Sequence, residues 1–208
     1  MSRLFIARHG ETVFNAAGRI QGDVEHTPLT RAGFAQAEAM GEALRRRLGP
    51  KPPLARWASP TGRALQTLAV IAEHLELDWH RARTDARLRE IDIGDWSERH
   101  YADVIAETGP VIDRETGLFS RRPPGGEWYD AIAVRLRAWL DDHAAEDGDR
   151  LIVMHGMSSR VLRGMVTGLP HHQGCGAPVA PGLPQGSVAE VESGAETVLH
   201  LGSGAGTA

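Results

Sequence analysis

Arg8-His9-Gly10-Glu11-Thr12 stands directly behind the short apolar run Leu4-Phe5-Ile6-Ala7. This puts a guanidinium and an imidazole side by side at the end of a buried strand, with a sharp turn expected at Gly10. Open α/β sheets gather their sites in the crevice outside the carboxyl ends of their strands. The construction recurs where Leu151-Ile152-Val153-Met154 ends in His155-Gly156. Two strands that each deliver a histidine followed by glycine are expected to form two halves of one pocket. Two further stretches belong with them. Ser59-Pro60-Thr61-Gly62-Arg63 carries a strand end into a helix with Arg63 in its first turn, and Leu88 to Trp96 contains Glu90.

Two arginines, two histidines and a carboxylate suit phosphoryl chemistry. A phosphoryl group carries up to two negative charges on oxygens that match the planar fork of guanidinium. Arg8 and Arg63 are expected to clamp it, with a protonated His155 as a third positive contact. The helix starting near Pro60 is expected to offer backbone N–H groups to the same anion. A neutral imidazole, available near pH 7, is a competent nucleophile for in-line attack at phosphorus. A carboxylic acid must then protonate the leaving oxygen. Glu90 is the candidate, with Asp92, Asp95 and Glu98 as neighbouring alternatives.

The elements that must position these groups follow from periodicity and punctuation. Asn15 to Leu29 reads as a polar loop. Thr30 is an N-cap for a helix over about 31–48, with Ala37, Gly41, Leu44 and Leu48 on one face. Pro50, Pro52 and Pro53 separate it from a strand at Leu54 to Ala58. Ser59-Pro60 opens the next helix, whose buried face is Ala64, Leu68, Ile71, Ala72 and Leu75. A third strand is predicted near Trp79 to Arg83. The region from Leu88 to Glu127 is irregular, with one short helix near 100–107, and its part at about 97–127 is expected to form an insertion or lid over the site. A long helix is predicted over about 127–146, with Ile132, Leu136, Trp139 and Leu140 buried, and another over about 158–168. Residues 170–186 read as loop, and Ser187 to Leu201 as a closing hairpin around Ser193-Gly194. Residues 202–208 are expected to be a disordered tail. Strands alternating with helices predict a single α/β domain over 1–201.

The bulk composition narrows the function classes. With 208 residues, 41% hydrophobic and 24% charged, the chain can build a sizeable core. A net charge of −4 argues against a nucleic-acid partner. No apolar stretch at the N-terminus is long enough for a signal peptide or membrane span. The single cysteine, Cys175, cannot form an internal disulfide. A cytoplasmic protein with no membrane partner is expected. The adjacent His171 and His172 lack a third ligand, so no metal site is expected.

The ordered set runs through Arg8-His9-Gly10-Glu11-Thr12, Asn15, Gln21-Gly22, Pro28-Leu29-Thr30 and Ser59-Pro60 with Arg63-Ala64 and Gln66-Thr67. It continues with Glu90, Gly94 and Trp96, and then His155-Gly156. The set resembles the histidine phosphatase superfamily, the phosphoglycerate mutase-like group of branch 1. That resemblance implies a three-layer α/β/α sandwich whose sheet is mostly parallel with one antiparallel strand. It also implies that His9 is the nucleophile, that Arg8, Arg63 and His155 form the phosphate pocket, and that Glu90 is the proton donor. Asn15 would add a phosphate contact, Gln21, Gly22 and Gly156 would line the substrate side, and Glu11 would orient a pocket residue. No metal or other cofactor is implied.

The reading favoured is a metal-independent phosphomonoesterase acting on a small anionic phosphorylated metabolite through a phosphohistidine. A phosphoglycerate mutase, requiring 2,3-bisphosphoglycerate, is the alternative, and Glu98-Arg99-His100-Tyr101 and Arg121-Arg122 speak for it. A non-catalytic phosphate- or phosphoprotein-binding module on the same scaffold is the third reading. A homodimer is compatible with all three.

Overall fold

The computed structural model describes residues 2–204, and its framework is a six-stranded sheet with helices on both faces. The strands are β1 (Leu4–Arg8), β2 (Leu54–Ala58), β3 (Arg83–Thr84), β4 (Asp149–Met154), β7 (Val188–Glu192) and β8 (Ala195–His200). Between β4 and β7 lies a separate two-stranded ribbon, β5 (His171–His172) and β6 (Ala177–Pro178), inside the stretch expected to be loop. The main sheet runs β3-β2-β4-β1-β7-β8. β3, β2, β4 and β1 pair in parallel, and β7 is antiparallel to both β1 and β8. This is the mostly parallel sheet with one reversed strand that the resemblance implied.

The alternation of side chains along the strands divides the core in two. Phe5, Ala7, Leu151 and Val153 point to one face, with Leu54 and Ala58 of β2. There they meet Ala37, Met40 and Leu44 of helix α2 (Arg31–Leu48) and Ala64, Leu68 and Ile71 of α3 (Gly62–His74). Ile6, Ile152, Met154 and Trp57 point to the other face. They pack on α5 (Tyr129–Asp142) and α6 (Gly156–Val166). Thr30 caps α2 as expected, its hydroxyl accepting the Gly33 N–H at 3.0 Å.

Several boundaries differ from the sequence reading. The third strand reduces to the two residues of β3, because Trp79–Arg81 forms a 3-10 turn capped by Asp78. α6 begins at Gly156, immediately after His155, and not at 158. A four-residue helix α1 (Val13–Ala16) interrupts the expected loop, and Thr12 and Asn15 close a reciprocal cap around it. Helix α4 (Tyr101–Thr108) lies within the stretch expected to be a lid. That stretch is packed down: Val104, Val111, Leu118 and Phe119 are buried against Tyr129 and Met157. At the C-terminus, Gly202 is held by its N–H donating to Ser187 Oγ at 2.9 Å, while 205–208 of the expected tail lie outside the described residues.

Candidate active site

β1 and β4 are neighbours in register, Arg8 opposite Met154, so the residues that follow them emerge together. The His9 N–H donates to Met154 O at 3.0 Å and the Ser59 N–H to Val153 O at 3.0 Å, extending the ladder across three strand ends. His9 and His155 thereby meet with ring centroids 5.2 Å apart. Both rings are buried.

Gly10 serves close approach and not a left-handed turn. A Cβ there would lie 2.8 Å from the Gly33 carbonyl carbon, in the first turn of α2. Thr67 Oγ1 accepts the Gly10 N–H at 3.2 Å, and the Gly10 carbonyl sits 2.7 Å from His9 Nδ1. Only a protonated Nδ1 can bond a carbonyl, so that contact fixes the tautomer and leaves Nε2 with its lone pair. Burial, Arg63 and Arg8 hold the His9 imidazole well below its ordinary pKa, which keeps it neutral.

His155 is held neutral as well, by burial first and then by Arg63 and His9. Its Nδ1 accepts the Arg63 Nε–H at 3.2 Å, which places the ring proton on Nε2. Nε2 is buried and makes no hydrogen bond within the protein. Without a ligand His155 is thus held neutral, whereas the sequence reading expected it protonated against a phosphate. A desolvated imidazole between two guanidiniums stays uncharged, and it offers an anion a neutral N–H.

Arg63 also departs from the simple clamp. Its Nη1 donates to Thr27 Oγ1 at 2.9 Å and to Val24 O at 2.5 Å, and Nη2 donates to Gly22 O at 2.7 Å. It locks the loop at 22–27 to the site. Arg8 Nη1 donates to Leu183 O at 2.8 Å. Burial pushes both arginines down to about 10, so both remain cationic at neutral pH.

Glu90 lies at the N-terminus of α6. Its Oε1 accepts the N–H groups of Ile91 (3.0 Å) and Ser158 (2.9 Å), and Oε2 accepts that of Met157 at 2.9 Å. The Glu90 backbone is held from α5: its carbonyl accepts from Arg135 Nη2 at 3.2 Å, and Arg135 is paired with Glu127 at 2.8 Å. A Cβ at Gly156 would come within 3.2 Å of the Arg8 guanidinium and 3.3 Å of Glu90 Oε2, so glycine lets the three groups close together. Asp92, Asp95 and Glu98, the alternatives to Glu90, do not line the cleft. Asp92 Oδ1 instead accepts the Gly94 N–H at 2.8 Å.

The cleft in front of these groups also includes Asn15, Gln21 and Gly22. Thr12 aims the two amides. Its N–H donates to Asn15 Oδ1 at 3.1 Å, and its hydroxyl donates to Gln21 Oε1 at 2.5 Å. The carbonyl ends are thus engaged, leaving the NH2 groups as donors. Gly22 adopts φ of 50° and packs against Ile93. Glu11 does not orient a pocket residue: its carboxylate accepts from Thr30 Oγ1 at 2.7 Å, stapling the loop to α2. The helix that follows Pro60 gives its first N–H, that of Gly62, to Glu25 O. Phe119 and Met157 also line the cleft and were not singled out in the sequence, and Tyr101, the last residue of the Glu98-Arg99-His100-Tyr101 stretch quoted for the mutase alternative, lines it too. Nothing in the local pattern marks Phe119 or Met157, and the long 97–127 excursion brings Phe119 there. Arg121 and Arg122 are exposed and outside the cleft, donating to Thr108 O and Gly126 O. A larger cavity, about 560 Å³, lies at the opposite end of β2 around Arg56 and Arg81, far from both histidines in the fold.

The model of the histidine phosphatase superfamily (branch 1) matches residues 4–201. The chain belongs to this superfamily. Among histidine phosphatase relatives, "Probable phosphoglycerate mutase GpmB" of Enterobacter sp. (strain 638) is 35% identical over 173 residues, spanning 82% of this chain and 77% of the relative. The protein of the same name from Yersinia enterocolitica is 33% identical over 175 residues, 83% of this chain and 78% of that one. A mycobacterial glucosyl-3-phosphoglycerate phosphatase complexed with VO3 superposes with a TM-score of 0.78 at 26% identity, over 99% of this chain and 100% of that one. An alpha-ribazole phosphatase from Shigella flexneri, at 23% identity, shares the histidine phosphatase fold with a TM-score of 0.71 over 97% and 96% of the two chains.

Proposed function

We propose that this protein is a phosphomonoesterase that works through a phosphohistidine on His9. The observation that carries the reading is the fixed tautomer: Nδ1–H donates to Gly10 O, so the lone pair on Nε2 is available between Arg8, Arg63 and His155. Nε2 attacks phosphorus as the P–O bond to the leaving group breaks, and Glu90 gives its proton to the departing oxygen. Water then attacks the P–N bond, Glu90 takes the water proton, and phosphate leaves with His9 neutral again. Arg8, Arg63, the Nε2–H of His155 and the amides of Asn15 and Gln21 hold the equatorial oxygens. Each requirement is met by a group of this chain, so the scheme needs no metal.

Hydrolysis is favoured over mutase activity by the placement of Arg121 and Arg122. Both donate to backbone carbonyls and neither lines the cleft. The names of its relatives point both ways, to phosphoglycerate mutase and to phosphatases.

The test is incubation in EDTA with p-nitrophenyl phosphate and with 3-phosphoglycerate, with and without 2,3-bisphosphoglycerate, following phosphate and 2-phosphoglycerate together. Phosphate release that survives EDTA is expected, with an acid-labile phosphoryl group on the protein. His9→Ala is expected to lose turnover by at least about 10⁴-fold while still binding phosphate. Dominant 2-phosphoglycerate formation would make it a mutase, and tight phosphate binding with no transfer would make it a binding module.

A further inference from the structure

Away from the phosphate-holding groups, the cleft changes character. Ile20, Ile91, Ile93, Phe119 and Met157 wall it, each no more than 3% exposed. Its remaining polar surface is neutral: Asn15, Gln21 and Tyr101. Burial and the neighbouring Glu90 carboxylate raise the Tyr101 pKa, so its hydroxyl stays protonated. Among the described residues, Arg8 is the one arginine or lysine lining this space, and Arg8 belongs to the phosphate.

The cations next in sequence to cleft residues, Arg89 and Arg19, already have partners. Arg89 is paired with Glu25 and approaches Asp23 at 4.0 Å. Arg19 donates to Glu98 O at 3.5 Å and lies over the Phe14 ring. Asp23, next to Gly22, has its pKa raised by burial first and then by Asp92, against the opposing pull of Arg89 and Arg63. A second anionic group on the substrate would be stripped of water between isoleucines and a phenyl ring, with no counter-charge.

We infer that the substrate is a monoester whose sole charged group is its phosphate, an ester of an uncharged and largely apolar alcohol. This rests on the phosphomonoesterase reading and narrows it: phosphorylated hydroxy acids are disfavoured by the cleft walls. The chain would thus differ in substrate from relatives whose names specify phosphoglycerates.

The experiment compares kcat/KM for butyl phosphate, glycerol 3-phosphate and 3-phosphoglycerate, three alkyl esters with similar leaving groups, beside p-nitrophenyl phosphate as the general probe. Butyl phosphate is expected to exceed 3-phosphoglycerate by at least about 100-fold, with glycerol 3-phosphate between them. Phe119→Arg is expected to narrow that gap at least about tenfold by raising the 3-phosphoglycerate rate, whereas Phe119→Leu keeps it. Should p-nitrophenyl phosphate alone turn over, the three esters are compared as competitive inhibitors, and the same order of affinity is expected. An equal or better 3-phosphoglycerate constant in either comparison overturns the inference while leaving the phosphatase intact. Silence with p-nitrophenyl phosphate removes the phosphatase reading itself, and this inference with it.

Discussion

At the scale of single residues, the proposed chemistry depends on how Glu90 is held. Its carboxylate accepts three backbone N–H groups, two of them from the first turn of α6, so the side chain has one orientation and faces Arg8. Glu90→Gln keeps the shape but cannot deliver a proton to an oxygen leaving group. The variant is expected to lose about 10²–10⁴-fold in kcat on alkyl phosphates and far less on p-nitrophenyl phosphate, whose leaving group needs no acid. Equal losses on both would assign the proton to another group. The candidate residues Arg8, His9, Arg63 and His155 stood out in the sequence because each sits in a local signature at a strand or helix end, and the structure brings them and Glu90 together. Thr12 stood in the same signature without its task being visible, since it acts through Asn15 and Gln21. The lowered pKa of His155 was not legible, because it arises from burial first and then from Arg63, 92 positions away.

At the scale of elements, the tightest constraint is the contact between the loop after β1 and the first turn of α2. Gly10 and Gly33 meet backbone to backbone, and a methyl group on either would collide with the other segment. Gly10→Ala is expected to cost about 3 kcal/mol, at the upper end of overpacking, because neither backbone can move without displacing His9 or the Thr30 cap. A denaturant midpoint unchanged within error would show that the loop has room to shift. Strand and helix identities were readable where periodicity was long: α2, α3, β1, β2 and β4 lie where the pattern put them. β3 was overestimated because Trp79–Arg81 turns on the Asp78 cap, a local hydrogen bond that hydropathy does not report. The β5–β6 ribbon, two residues a side, is too short for any pattern to announce.

At the scale of the whole molecule, two neutral histidines buried beside arginines link stability to pH. The folded chain resists protonating His9 and His155, whereas the unfolded chain takes up protons near the ordinary histidine value of 6.5. Their contribution is therefore complete above about pH 6.5 and is lost as the pH falls below it, by up to about 1.4 kcal/mol per unit for each. Tm is expected to drop between pH 7 and pH 5, less steeply in His155→Asn. Added phosphate should restore it, since the anion pairs with the imidazolium it permits. An identical slope in the variant would place the linkage elsewhere, for example on His200, whose pKa burial also lowers. The same site carries a consequence for evolvability. Glu90 already occupies N–H groups at the head of α6, so the proposed grip on phosphate resides mainly in replaceable side chains. Anion cradles made of backbone cannot be graded by substitution; this one can, residue by residue. A lineage on this scaffold could weaken its hold on product, alter turnover, or become a silent binder through one or two codon changes, with the sheet beneath untouched.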